Sequence, residues 1–410
     1  MRRDAARLGI MAFMAPKNPV AGIGFPSVLA HGFLLQGSVF LVRPATSYKA
    51  LELGVDPGLL GLVVASFSIL PVFLAVLIGR AADRGREKSI LLVGSALLII
   101  PGAGLLFASP TLPALLGWNL LLGVGHLMSL IGEQSRLASA RNRNMDRVFG
   151  LYTTVTALAQ AVAPLLLGVL GGSAVAPDTS VLMRAYLVGA FGVLAASIFM
   201  ARHPVGVPRG ELTKQVKLRT ALNVERSARS PLIASITLSM MVLCTVDLLQ
   251  VYLPALAVER GISTQTVGLL LAARAGATVL SRLGLDHLVR RFGRGTLMLV
   301  STGAAAVLVA LLVVPLPVIA MAVALVLAGL ALGIGQPLSM SVVTLIAPEG
   351  TRGTWMSIRL LGNRLGQSVI PVGIGIFASS LGAGGAFAAL GTAMGVVTLA
   401  SVVPLRSLKK

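Results

Sequence analysis

The chain has 410 residues, of which 56% are apolar and only 12% are charged, and its mean hydropathy is +0.90. A soluble domain carries about a quarter charged residues, so this composition excludes an ordinary water-soluble protein and indicates a membrane protein. The net charge of +20 comes without a basic stripe interleaved with aromatic residues, which argues against a nucleic-acid partner.

Twelve apolar runs are long enough to cross roughly 30 Å of hydrocarbon as helices. We number them spans 1 to 12, and they lie at about 20–43, 59–79, 89–108, 112–135, 148–171, 182–201, 231–253, 266–285, 296–314, 318–346, 355–379 and 383–404. The first run is longer than the core of a signal peptide, so we keep it as a span of the mature chain. The predicted fold is all-α integral membrane, with twelve transmembrane helices in two pseudo-symmetric six-helix bundles, 1–201 and 231–410, joined by a cytoplasmic linker, 202–230.

The two halves repeat each other at a constant offset of about 207 residues. The repeated pairs are Glu52 and Glu259, Gly54 and Gly261, Gly61 and Gly268, Ala65 and Ala272, Gln160 and Gln367, Val162 and Val369, Pro164 and Pro371, and Gly168 and Gly375. Repeated apolar halves are typical of secondary transporters, whose substrate site lies between the repeats.

The basic residues predict the orientation. Most of the 34 lysines and arginines fall in the amino-terminal tail, the linker and the connections on the same side of the membrane. The positive-inside rule therefore places both termini in the cytoplasm of a bacterial-type plasma membrane. The linker itself is either an amphipathic helix on anionic headgroups or a solvated tether.

The connection between spans 2 and 3 carries Gly79, Asp83, Arg84, Gly85 and Arg86. This pattern closely resembles the cytoplasmic signature of the Major Facilitator Superfamily, with one residue missing between the Asp-Arg pair and the glycine. The resemblance implies a twelve-helix carrier that works by alternating access, with a central cavity lined by spans 1, 4, 7 and 10.

The same connection is the candidate cytoplasmic gate. Asp83 can accept hydrogen bonds at the start of span 3, and Arg84 or Arg86 can reach Glu133 at the end of span 4. These contacts would latch the cytoplasmic side in one state. The alternative is that the arginines only snorkel to the interface.

Span 5 carries Gln160, Pro164 and Gly168, which loosely resemble the Gly-Pro signature of the family's exporters. The alternative is a helix kink with a close helix contact, since proline frees a carbonyl and small residues allow near approach. We predict kinks at Pro164 and at Pro371, its equivalent in span 11.

Polar side chains inside the spans are the candidates for a substrate or proton pathway, because burying them in hydrocarbon is costly. Asp247 either couples protons or forms a structural ion pair with Arg274, and Arg359 and Arg364 either meet an anionic substrate or snorkel and cap carbonyls. The histidines either titrate in the cavity or pack between helices. The candidates are His31, Gln36, Arg43, His126, Asp247, Arg274, Gln336, Arg359, Asn363 and Arg364.

The end of span 1 gives one further expectation. Pro44 would stop the helix after Arg43, and the hydroxyl-bearing residues that follow would form either a lid over the cavity or an interfacial anchor.

Function follows from what the sequence contains and lacks. Cavity histidines and one acid favour protons over sodium as the coupling ion. No Gly-Lys-Ser or Gly-Lys-Thr segment occurs and the loops are short, so we expect no nucleotide, cofactor, metal or enzymatic activity. The first expectation is a monomeric exporter of a small amphipathic compound by proton antiport. The alternative is uptake of an organic anion by proton symport, and a third class is a non-transporting membrane receptor or structural protein.

Overall fold

A computed structural model describes residues 24–138, 145–202, 226–347 and 352–406, and their regular structure is helical throughout. The helices are α1 (Gly24–Glu52), α2 (Leu60–Ala81), α3 (Glu87–Phe107), α4 (Leu112–Ala138), α5 (Met145–Gly171), α6 (Thr179–Arg202), α7 (Arg226–Glu259), α8 (Thr264–Leu283), α9 (Leu285–Phe292), α10 (Arg294–Ala310), α11 (Val318–Ile346), α12 (Arg352–Ala400) and α13 (Val402–Arg406). Most of the predicted linker lies outside the described residues.

Eleven of these helices are long and apolar enough to cross a membrane, which confirms a multi-pass helical protein. The last of them, α12, has 49 residues and is broken at Gly382, where φ is 67° and ψ is −169°. This break lies between predicted spans 11 and 12. The short helix α9 was not predicted, because its eight residues are too polar and too few for a span.

Pro44 does not end the first helix, so the expectation of a lid or anchor after Arg43 was wrong. The helix α1 continues through Pro44 to Glu52. The hydroxyl of Thr46 donates to the carbonyl of Arg43 at 2.7 Å, and that of Ser47 donates to the carbonyl of Val251 at 2.6 Å. Proline is tolerated inside membrane helices, so Pro44 need not end α1.

The helix ends define two ends of the molecule. In the first half, Val28 at the start of α1 packs against Leu91 and Met200 at the start of α3 and the end of α6. In the second half, Leu232 at the start of α7 packs against Val343 at the end of α11. We call this the terminal end, because α1 begins there and α13 finishes there, and we call the opposite end the distal end.

The two halves meet at the distal end through the repeated residues themselves. A Cβ added at Gly61 of α2 would lie 2.9 Å from the carbonyl carbon of Pro371 in α12. A Cβ added at Gly268 of α8 would lie 2.7 Å from the Cα of Gly168 in α5, with the Pro164 oxygen closer still. We call these contacts of Gly61, Pro164, Gly168, Gly268 and Pro371 the distal seam. Only glycine allows two helix backbones to approach this closely.

Further pairs of the repeat occupy equivalent places in the two halves. Gly54 and Gly261 follow α1 and α7 with φ of 69° and 64°, a left-handed turn that favours glycine. Glu52 accepts a hydrogen bond from Thr179 at the start of α6, and Glu259 accepts one from the backbone amide of Ala383, just after the break in α12. The repeat read in the sequence is thus a repeat of structure.

Candidate functional site

A cavity of about 250 Å³ lies between the two halves, on the terminal side of the distal seam. Its polar lining combines several arginines with a single aspartate and a group of amides. The polar and aromatic residues that line it are Gln36, Phe40, Arg43, Phe67, His126, Gln160, Asp247, Arg274, Thr278, Arg282, Gln336, Asn363, Arg364 and Gln367.

The centre of the cavity holds an ion pair that joins the halves. Arg43 of α1 donates to Asp247 of α7 at 2.6 Å, and the amide of Gln367 in α12 donates to the other carboxylate oxygen at 2.5 Å. Arg364 donates to the Gln367 oxygen at 3.3 Å. Both members of the ion pair are only 6% exposed, so the pair is largely desolvated. Asp247 is therefore surrounded by fixed donors.

Arg274 does not pair with Asp247, so that expectation was wrong. Asp247 uses Arg43 instead, although it acts electrostatically on both Arg274 and Arg364. The side chain of Arg274 is 2% exposed and its Nε has no hydrogen-bond partner among the described residues. One carboxylate thus faces several guanidinium groups.

Apart from Arg43, the polar groups that the first half contributes to the cavity wall are two amides and a histidine. The Nε2 atoms of Gln36 and His126 lie 3.4 Å apart, and Gln160 donates to the Gln36 oxygen at 3.3 Å. The ring of Phe67 lies between two cavity groups, 4.9 Å from the Arg43 guanidinium and 5.4 Å from the His126 ring. A cation over an aromatic face is stabilised by the ring quadrupole.

Toward the terminal end, the second half adds a cluster around Arg359. Its side chain is 3% exposed, donates to Ser339 at 3.1 Å and also donates to the side chain of Gln336. Ser239 donates to Asn363 at 3.1 Å and to Gln336 at 3.2 Å. Arg359 therefore does not snorkel to water, and Gln336 and Asn363 link this cluster to the cavity.

His31 lies elsewhere, in the interior of the first half. It contacts Glu133 at 2.7 Å, both side chains are fully buried, and neither lines the cavity. In this arrangement Glu133 does not contact Arg84 or Arg86, since the two arginines are exposed and Glu133 is directed inward, and the latch stays a prediction for another state. The backbone at Asp83 belongs to a five-residue π-turn, and its side chain lies outside the described part.

Several cavity residues were missed by the sequence analysis. Gln160 and Gln367 stood in the repeat but were not taken as cavity residues, and Phe67 and Arg282 were not among the candidates. The signal for the two glutamines was available, because they occupy equivalent positions and both are polar inside a span.

Comparison with known proteins identifies the family. The sequence model described as Major Facilitator Superfamily matches residues 28–255 and 236–409, nearly the whole chain. The chain belongs to the Major Facilitator Superfamily. It is accordingly a transporter and not an enzyme, which confirms the resemblance found in the loop after span 2.

Solved structures of this superfamily share the fold at low sequence identity. A POT family transporter in complex with a thioalcohol-conjugated peptide has a TM-score of 0.75 at 17% identity, over 94% of this chain and 97% of its own. The nucleoside transporter NupG has a TM-score of 0.73 at 14% identity, over 93% and 98%. The D-xylose-proton symporter has a TM-score of 0.71 at 14% identity, over 92% and 96%. A search of curated proteins finds no match.

Proposed function

We propose that this member of the Major Facilitator Superfamily carries a small organic anion by proton symport. The observation that supports this proposal is the charge of the cavity. Among the described residues that line it, four are arginines, Arg43, Arg274, Arg282 and Arg364, and one is an acid, Asp247.

The unbalanced charge needs a partner. A buried guanidinium without a counter-ion costs several kcal/mol, and removing one member of a buried pair costs about 3–5 kcal/mol. Asp247 is already matched by Arg43, so the remaining arginines favour a ligand with a carboxylate or phosphate group. The cavity volume is slightly below the roughly 300–1,000 Å³ of typical ligand pockets, which favours a small substrate.

We infer that the substrate moves by alternating access in a monomer with twelve spans. The break at Gly382 divides α12 into two helices, which would complete two bundles of six. The distal seam closes the distal end, whereas α4 and α11 make no substantial contact across the halves. If the basic terminal end is cytoplasmic, as the positive-inside rule predicts, this arrangement is the inward-facing state in a bacterial plasma membrane.

Export of an amphipathic compound by proton antiport remains the alternative. Its sequence support was the segment from Gln160 to Gly168, and there the Pro164 carbonyl and Gly168 pack directly against Gly268. This packing accounts for the small residues and the proline without reference to the direction of transport. The charge of the cavity therefore carries more weight than the helix motif.

The test is a ligand screen by thermal stability in detergent, using carboxylates, organophosphates, their neutral amide or alcohol analogues, and lipophilic cations. A ligand at a hundred times its Kd stabilises by about 2.7 kcal/mol. We expect anions alone to stabilise the native chain and Arg274→Gln to lose the response. Arg260→Gln is the matched control, because Arg260 donates to the Leu312 carbonyl outside the cavity. A preference for cations or neutral compounds would overturn the proposal.

Coupling is then measured in proteoliposomes loaded with a pH dye. Movement of protons together with an anion supports symport, whereas protons that move against the substrate would establish antiport. Substrate movement without proton flux would leave a facilitator and contradict the proton coupling.

A further inference from the structure

Five helices of the first half enclose a polar cluster that is separate from the cavity. His31 of α1 and Glu133 of α4 are each 0% exposed, and His31 Nδ1 lies 2.7 Å from a Glu133 oxygen. The hydroxyl of Tyr152 in α5 donates to the other oxygen of Glu133. Burying an ionisable pair this deeply is costly, and such pairs inside membrane spans mark ion or proton pathways.

We propose that the His31–Glu133 pair is the proton-binding site of the transporter, set apart from the substrate cavity. This inference rests on the proton coupling of the proposed function and names the two residues that bind the proton. An arriving proton binds His31 Nε2, the proton on Nδ1 is then shared with the Glu133 oxygen at 2.7 Å, and release reverses these steps. The pair changes from a net charge of −1 to neutral, with no other bond made or broken.

The groups around the pair allow it to be protonated and deprotonated reversibly. Among the described side chains, His31 is the only ion-pair partner of Glu133, so no fixed cation holds the carboxylate in one form. Tyr152 is the titratable group that faces it from α5, and α3 and α6 contribute only serine hydroxyls. Arg136, one turn further along α4, interacts with Glu87 of α3.

Asp247 differs from Glu133 in this respect, although the sequence made it the first candidate for coupling. Arg43 at 2.6 Å and the Gln367 amide at 2.5 Å both donate to its carboxylate. Protonating Asp247 would leave Arg43 buried without a counter-ion, which costs several kcal/mol. Asp247 therefore acts as a fixed counter-ion in the cavity.

A line of hydroxyls leads from the cavity toward the pair. His126 lines the cavity, and its Nδ1 is buried without a hydrogen-bond partner among the described residues. Ser129 lies three residues further along α4, on the same face of the helix. From Ser129 the chain continues to Ser95 at 3.3 Å and then to His31 Nε2 at 3.5 Å. The hydroxyls of Ser129 and Ser95 thus lie between His126 and His31.

The second half lacks an equivalent pair. Gly123 of α4 meets the Phe67 carbonyl as Gly329 of α11 meets the Arg274 carbonyl, so Ser339 stands for Glu133. Leu238 stands for His31, and Thr302 keeps the hydroxyl of Ser95. A six-helix half of this fold is therefore built without an ionisable pair at these positions. This difference favours a functional role for His31 and Glu133 over a purely structural one.

The experiment compares two transport modes in proteoliposomes, with an anion identified in the ligand screen. Exchange of labelled for unlabelled anion needs no net proton movement, whereas accumulation driven by a pH gradient does. One coupled proton supports about tenfold accumulation per pH unit. We expect Glu133→Gln to retain exchange and lose all gradient-driven accumulation, and Glu133→Asp to restore part of it.

Controls separate the possible failures. Ser301→Ala removes a buried hydroxyl of the second half that donates to the Met298 carbonyl within α10, away from the cavity, and should accumulate anion as the native chain does. If Glu133→Gln does not fold, His31→Gln gives the same test. Native accumulation in either variant would overturn the inference, as would loss of accumulation only in Asp247→Asn. Absence of anion exchange in the native chain would instead refute the proposed function.

Discussion

The distal seam can be opened with a single methyl group. In Gly268→Ala, the new Cβ would lie 2.7 Å from Gly168 and closer still to the Pro164 oxygen, so α5 and α8 must separate by about 1 Å to reach ordinary contact at 3.4 Å. Overpacking of this kind costs about 1–3 kcal/mol. Gly276, on the same helix, has open space around its Cβ position and provides the matched control.

This overpacking destabilises only the distal-closed state, because the seam exists only when the distal end is closed. A bias of about 1–3 kcal/mol changes the ratio of the two states by about 5–150-fold. Gly268→Ala should therefore populate the distal-open state, and Gly276→Ala should not. Gly61→Ala should have the same effect as Gly268→Ala, because it meets Pro371 in the equivalent contact.

The assay is a distance measurement by electron spin resonance. Spin labels replace Asp178 and Ser380, which are exposed at the distal end of opposite halves, after Cys244 is changed to serine. We expect a longer distance population in Gly268→Ala than in the Gly276→Ala control. Equal distributions in the two variants would refute the argument that the seam closes through glycine contacts.

Three further predictions follow from buried or strained groups. Arg43→Gln and Asp247→Asn should each lower the free energy of unfolding by about 3–5 kcal/mol. The double variant should lose less than the sum of the two single losses, since neither charge is then left unpaired. Cys244 is fully buried, so a charged maleimide should label it only after denaturation, and labelling of the native protein would contradict the packing. Gly382→Ala should lower the unfolding free energy by about 1–2 kcal/mol, because φ there is 67° and the Glu259 carboxylate leaves little room; an unchanged melting temperature would argue against the break.

The helices were largely predictable, because a span needs about 20 apolar residues and that length is legible in the sequence. The errors concern helix ends and breaks, which depend on the local contacts of single residues. Pro44 was read as a stop, but α1 continues through it, since proline is tolerated inside membrane helices. The break at Gly382 was predicted only as a gap between two spans.

The sequence predicted how deep in the membrane the polar side chains lie, but not the direction in which each one points. His31 and Gln36 lie five residues apart on α1, which is about 140° around the helix axis, so they face different surroundings. Gln36 lines the cavity, and His31 points into its own bundle. Hydrophobicity cannot distinguish these faces, because both are buried. The partner of Asp247 was missed as well: Arg43 was among the candidates, but the structural ion pair of Asp247 was predicted with Arg274.

The distal seam has the geometry of a two-fold dimer interface within one chain. Gly61 of the first half meets Pro371 of the second, and Gly268 of the second half meets Pro164 of the first. The same contact is therefore made twice, with the two halves exchanged, as in a two-fold dimer. Self-complementary patches of this kind allow two separate subunits to associate without a connecting segment. The halves 1–202 and 203–410, expressed as separate chains, should therefore assemble in the membrane, with the linker serving mainly to keep them at equal numbers.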